Sequence, residues 1–181
     1  MRRHESRLAA ILIVAVLVAG PARGGSASAT DFGQAATAAE IARLTSIPPN
    51  GAGLPSGHGN ATHGRDVFAS QCSSCHGEKL EGVKEIGGPA LVGGRGTLAT
   101  SKPNKTVESY WPYATTVFDY VRRAMPFNAP GSLSDDDVYA VTAYILASGG
   151  IIKSSQTLDA ASLPQVAMPN REGFVADPRP R

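Results

Sequence analysis

Cys72-Ser73-Ser74-Cys75-His76 constrains this chain more than any other feature. C-x-x-C-H is the attachment pattern of a c-type haem: two thiols add to the haem vinyl groups, and the adjacent histidine is placed to ligate the iron. Cys72 and Cys75 are the only cysteines in 181 residues, so no thiol is left for a structural disulfide. A C-x-x-C redox pair has no need of His76, and a zinc site wants two further ligands that the sequence does not offer at suitable spacing. The pattern implies one haem c, held covalently by Cys72 and Cys75, with His76 on the iron.

The N-terminus reads as an export signal. Arg2, Arg3 and Arg7 precede a 13-residue apolar run, Leu8 to Gly20, and Ala27-Ser28-Ala29 is a small-residue cleavage pattern. The run is shorter than the ~20 residues a membrane helix needs, which argues against a permanent membrane anchor. The expectation is a periplasmic protein with residues 1–29 removed. Four of the 17 basic residues and one of the 15 acidic residues lie in that segment, leaving 13 and 14. The pI near 8.6 therefore belongs to the precursor. No basic stripe remains for nucleic acid or for an anionic membrane surface.

Along the rest of the chain, residues 30–59 read as an N-terminal arm rich in Ala, Gly, Ser and Pro, with a short helix at Ala35 to Leu44. Residues 60–150 read as the one haem domain, since no internal repeat calls for a second. Residues 151–181, with several prolines and little periodicity, read as a tail packing on the domain or on a partner. Helices are expected over His63 to Cys75, Thr115 to Ala124, and from the Ser134 cap to Gly149. The last is the clearest, because Asp135, Asp136 and Asp137 fill its positive first turn and Val138, Val141 and Ile145 share one face. No strand alternation is visible. The fold expected is all-α and small, three to five helices around one haem, with loop-rich extensions at both ends.

A proximal histidine leaves one axial position. Met125, in Arg-Ala-Met-Pro-Phe, lies between the second and third haem-domain helices, where Pro126 makes the backbone irregular. Thioether sulfur raises the reduction potential relative to a second imidazole, which suits an electron carrier. Met168 is the runner-up, and either methionine could instead be a core gap-filler. His58 and His63 read as surface residues. Pro89, in Gly88-Pro89-Ala90-Leu91, could hold the other ring nitrogen of His76 through its carbonyl, or be an ordinary turn proline.

On Cys72-Ser-Ser-Cys75-His76, Gly88-Pro89-Ala-Leu91, Met125-Pro126 and the closing helix with Tyr144, the chain resembles class I c-type cytochromes. That resemblance implies a first and a last helix crossing near Gly64, Phe68 and Tyr144. Ser109-Tyr110-Trp111-Pro112-Tyr113-Ala114-Thr115-Thr116, the stretch from Phe118 to Phe127, and Met168-Pro169-Asn170-Arg171-Glu172-Gly173-Phe174 are similar to mono-haem cytochrome subunits of sulfite and sulfur dehydrogenases. The narrower resemblance implies a molybdenum-cofactor dehydrogenase subunit as electron donor, a downstream cytochrome c or oxidase as acceptor, and no catalysis by this chain itself. Tyr110, Trp111, Tyr113, Arg122 and Arg123 are residue types found both in haem-packing walls and in docking surfaces. A freestanding carrier is the alternative, and a haem enzyme with an open iron site a third. The latter would show a high-spin spectrum without a methionine-to-iron band.

Overall fold

The computed structural model describes residues 33–179, so the export signal read at 1–29 lies outside the described residues. Residues 33–36 carry no helix or strand, and the compact unit begins at Thr37. Its elements in chain order are α1 (Ala38–Leu44), β1 (His58–Asn60), α2 (Ala61–Gln71), α3 (Ser73–His76), a 3-10 turn (Lys84–Ile86), α4 (Ala114–Ala124), α5 (Asp135–Ser148), β2 (Thr157–Asp159) and a second 3-10 turn (Leu163–Gln165).

Helices α1, α2 and α5 start where a side chain accepts from an orphan amide. Thr37 and Glu40 form a reciprocal capping box on α1, Asn60 accepts from His63 N on α2, and Ser134 accepts from Asp137 N on α5. The cap on Asn60 starts α2 two residues before the expected His63. The expected helix through Cys75 divides at Cys72, whose φ of −126° and ψ of −34° end α2 and open α3. His63 is exposed and its Nε2 pairs with Asp137 Oδ1 at 2.7 Å, joining the starts of α2 and α5. Ser134 and His63 hold the Asp137 carboxyl below the usual carboxylate range, mainly through the Ser134 hydrogen bond.

The core lies where α2, α4 and α5 meet. Phe68 on α2 packs against Tyr144 on α5 with ring centroids 5.3 Å apart, and Phe118 on α4 packs against Tyr139 on α5 at 4.4 Å. Phe118, Tyr139, Val138, Ala143 and Leu146 are fully enclosed. The α2–α5 approach depends on glycine: a β-carbon on Gly64 would land on the Ala140 carbonyl, and one on Gly59 would land on the Ala140 amide.

Two short strands depart from the strand-free expectation. β1 and β2 pair antiparallel, with Gly59 opposite Leu158. Three residues per strand, one of them glycine, are too few for alternation to show in the sequence. The ribbon seats the C-terminal segment on the domain, and Leu158, Leu163, Val166 and Met168 from that segment are buried in the core. The N-terminal segment is seated as well. Ile47 is buried, Thr115 Oγ1 donates to Pro49 O, and Tyr139 Oη donates to Pro55 O at 2.9 Å.

Asp119 is the polar anchor of that N-terminal segment. It accepts from Ile47 N at 3.2 Å and takes a two-pronged contact from Arg123 at 3.0 and 2.5 Å, with only 6% of its side chain exposed. Asp119→Ala is expected to cost about 2–3 kcal/mol, because it orphans a buried amide and removes a charge-assisted pair. Arg123→Ala keeps the Asp119–Ile47 bond but leaves a nearly buried carboxylate without its cation, so a comparable loss is expected. Denaturant midpoints at unchanged slope check both.

Candidate haem-binding site

Cys72 caps the single turn of α3 and Cys75 and His76 lie in it, with Cys75 N and His76 N both donating to Cys72 O at 3.1 and 2.9 Å. One turn therefore presents both thiols and the imidazole to the same region. Neither cysteine is in a disulfide; Cys72 is half-buried against the core and Cys75 is exposed. Burial pushes the Cys72 thiol up to about 11, with the neighbouring Cys75 adding to the effect. Among the described residues no three His, Cys, Asp or Glu side chains are grouped for a metal ion, so a zinc half-site finds no complement.

The 77–91 segment returns to α3 and places Pro89 O 2.7 Å from His76 Nδ1. A carbonyl only accepts, so Nδ1 carries the proton and Nε2 is left with its lone pair for a metal. Met125 is the C-cap of α4 in extended conformation; α4 ends there because Pro126 has no N–H to continue the ladder. The Met125–Pro126 peptide is cis. Met125 remains half-buried beside the core, whereas Met168 is 4% exposed and sits within it. His58 is exposed, like His63, and donates its backbone amide to Asp136.

This donor set fits haem c. Two unpaired thiols sit one turn apart, an imidazole has its Nδ1 already engaged, and a methionine leaves its helix at a proline. Leu91, Val92 and Trp111 pack on the core while remaining partly uncovered, and Phe127 beside Met125 is 84% exposed. When bound, haem c would be held by Cys72 and Cys75 and would supply one-electron redox chemistry. The chain's own Pro89 carbonyl orients the His76 ring.

Two groups of residues were not foreseen from the sequence. Arg95 bridges Glu108 at 2.7 Å and donates to Gly149 O at 2.5 Å, while Glu108 also accepts from Gly93 N at 2.5 Å. These bonds tie the glycine-rich loop to the C-terminal end of α5. Thr106 and Ser109 are buried and satisfied by Gly93 O and Asn104 O. Nothing in a lone Glu or Thr distinguishes such a tether in sequence.

The aromatic segment is covered from within. Asn170 Nδ2 donates to Tyr110 O at 2.7 Å, Phe174 stacks edge-on against Tyr110 at 5.2 Å, and Arg171 lies over the Tyr113 ring at 5.6 Å. Trp111 packs against Tyr120 at 5.6 Å, and Tyr120 is 46% exposed. Arg122 and Arg123 are engaged with Asp135 and Asp119. Of the five residues read as wall or dock, Tyr110 and Tyr113 thus serve as seats for the tail, and both arginines are occupied within the chain.

The fold and this constellation define a cytochrome c: the cytochrome c family model matches residues 61–148, and the chain belongs to that family. More particularly, it is similar to a chain of the sulfane dehydrogenase SoxCD from Paracoccus pantotrophus. That match has 43% identity and a TM-score of 0.74, covering 82% of this chain and 73% of that one. It is also 31% identical over 94 residues to the thiosulfate dehydrogenase of Stutzerimonas stutzeri, a match covering 50% of this chain and 28% of that protein. A 42-residue stretch is 48% identical to the cbb3-type cytochrome c oxidase subunit CcoP of Rhodobacter capsulatus, covering 23% of this chain and 14% of that subunit. The chain thus spans under a third of the curated relatives it matches. Among the described residues no helix is long and apolar enough to cross a membrane.

Proposed function

We propose that this cytochrome is the mono-haem, electron-accepting subunit of an exported complex. In it a molybdenum-cofactor subunit oxidises sulfite or another reduced sulfur compound. The observation that carries this is the likeness to the sulfane dehydrogenase chain over 73% of its length. Supporting it, the tail contacts bring together the two motifs similar to such subunits, Ser109 to Thr116 and Met168 to Phe174. Cys72 and Cys75 hold the haem in the 60–150 domain, His76 and Met125 ligate iron, and Pro89 O fixes the His76 tautomer. Residues 30–59 and 151–181 are extensions of that domain, and residues 1–29 direct export to the periplasm. Electrons arrive singly from the partner and leave to a downstream cytochrome c or oxidase. With both axial positions filled, substrate does not reach the iron, and bond-making chemistry belongs to the partner.

Native protein from the periplasmic fraction tests the reading. Sulfite, thiosulfate and a sulfane-sulfur substrate are added separately while haem absorbance is followed and molybdenum assayed. Rapid reduction by one of them, with a molybdenum subunit copurifying, is the expected result. A single chain that none of them reduces, but dithionite does, overturns the complex and leaves the freestanding carrier.

The second axial ligand separates by variant. Met125→Ala is expected to abolish the methionine-to-iron band and give a high-spin ferric spectrum. Met168→Ala is expected to keep that band while losing about 2–5 kcal/mol of stability, the usual cost of truncating a buried methionine. The reverse pattern would assign the iron to Met168. A high-spin, band-free spectrum in the unaltered protein would favour the open-site enzyme.

A further inference from the structure

α4 is the helix that delivers Met125, and its own sequence leaves its first turn poorly fastened. Tyr113 at its N-cap makes no side-chain cap bond, and no acidic residue stands in the first turn. Met125 continues the helix ladder, its amide donating to Val121 O at 3.1 Å. The stretch that follows adds little support. Residues 127–132 are exposed, and its backbone bonds among the described residues, Ala129 N to Pro126 O and Ser132 N to Ala129 O, stay local. Where Met125 sits therefore depends on where α4 sits.

Both chain extensions fasten α4 from outside it. From the N-terminal segment, Pro49 O accepts from Thr115 Oγ1 in the first turn at 3.4 Å, and the Ile47 amide donates to Asp119. From the C-terminal segment, the second 3-10 turn lies against α4, and a strap at residues 168–174 crosses the approach to the helix. Asn170 Nδ2 donates to Tyr110 O at 2.7 Å, and Arg171 covers the ring of the N-cap residue Tyr113 at 5.6 Å. The strap is anchored by the buried Met168 and folded on itself by Arg171 N to Met168 O at 3.2 Å and Gly173 N to Asn170 O at 3.1 Å. The two extensions also touch each other, since a β-carbon on Gly51 would meet Pro164 Cγ at 2.5 Å. A joined pair of segments thus grips the entry of α4, and the strap supplies the fastening that its first turn lacks.

We infer that Asn170 and Arg171 are positioning residues for Met125: by fixing the start of α4 they keep the thioether on the iron and outside ligands off it. The inference rests on Met125 being the axial ligand. An outside ligand reaches that position only in the fraction of molecules whose methionine has moved away, so its apparent affinity measures that fraction. Freeing the strap removes a hydrogen bond and a cation–π contact from one end of a helix whose other end carries the sulfur. The open fraction rises although no group at the iron has changed.

The test titrates ferric holoprotein with imidazole and follows loss of the methionine-to-iron band. Asn170→Ala/Arg171→Ala is expected to bind imidazole about tenfold more tightly than the parent, the scale of the two contacts removed. His63→Ala, which removes an exposed pair between α2 and α5 away from α4, is expected to keep the parental affinity. Parental affinity in the double variant overturns the inference, and so does an equal gain in His63→Ala, which would mean general loosening. Coupling is reciprocal, so the parent decides should the double variant fail to fold. Saturating imidazole should speed hydrogen exchange of the Arg171 and Gly173 amides by a similar factor, and unchanged exchange overturns the inference. A parent without a methionine-to-iron band, or a Met125→Ala variant that keeps it, removes the ligand assignment and the inference with it. That result is distinct from an unmoved affinity.

Discussion

Cys72→Ala/Cys75→Ala is expected to yield a chain with no haem attached after denaturation, read as complete loss of haem staining on a denaturing gel. On the proposed attachment each thiol forms one thioether, so the single variants should keep one bond and stain, while the double variant has none. On the proposed ligation, any haem the double variant still holds would be bound by His76, Met125 and apolar contact alone. A covalent tether gives an effective concentration of order mM or above, independent of dilution. Without it, occupancy becomes an ordinary equilibrium, and gel filtration at micromolar protein should strip the cofactor. The apoprotein should also lose stability, since partly uncovered groups such as Leu91, Val92 and Trp111 would keep that surface in water. Covalent haem persisting in the double variant would remove the attachment assignment.

Gly64→Val is expected to be the most disruptive substitution away from the donors. α2 and α5 touch backbone to backbone at Gly64 and Ala140, so even one added carbon has no free volume. Helix propensity predicts the opposite sign for Gly64→Ala, a gain of about 1 kcal/mol in a helix interior. Overpacking a well-filled contact costs about 1–3 kcal/mol for small insertions and more where backbone must move. Alanine is therefore expected to destabilise by about 0–2 kcal/mol net, combining those two figures. Valine should prevent the crossing and the Phe68–Tyr144 contact beside it. Yield of haem-loaded protein and denaturant midpoints read both. A Gly64→Ala variant more stable than the parent would mean that the helices are not this close.

The parts of this protein legible in the sequence are those whose causes are contiguous. Five neighbouring residues specify a covalent attachment, because the thiol spacing matches one helical turn whatever the rest of the chain does. Ser134 followed by three aspartates and an apolar stripe specifies α5, because capping, dipole and periodicity all act within a few residues. Met125-Pro126 marks a helix end for the same local reason.

Tertiary structure decided the rest. Pro89 reaches His76 across 13 residues, in a loop whose Gly82 and Gly88 leave no room for a β-carbon, a property visible only against the backbone they approach. That Asp119 takes the Ile47 amide 72 residues away, and that Asn170 takes the Tyr110 carbonyl 60 residues away, turned both chain extensions into parts of the domain. The same contacts engaged arginines and tyrosines that by residue type alone could equally have faced a partner. Bonds between distant residues leave no period and no fixed spacing in a sequence, so the chain determined its chemistry and its helices locally. Only packing settled which side chains remain exposed and how the His76 ring is held.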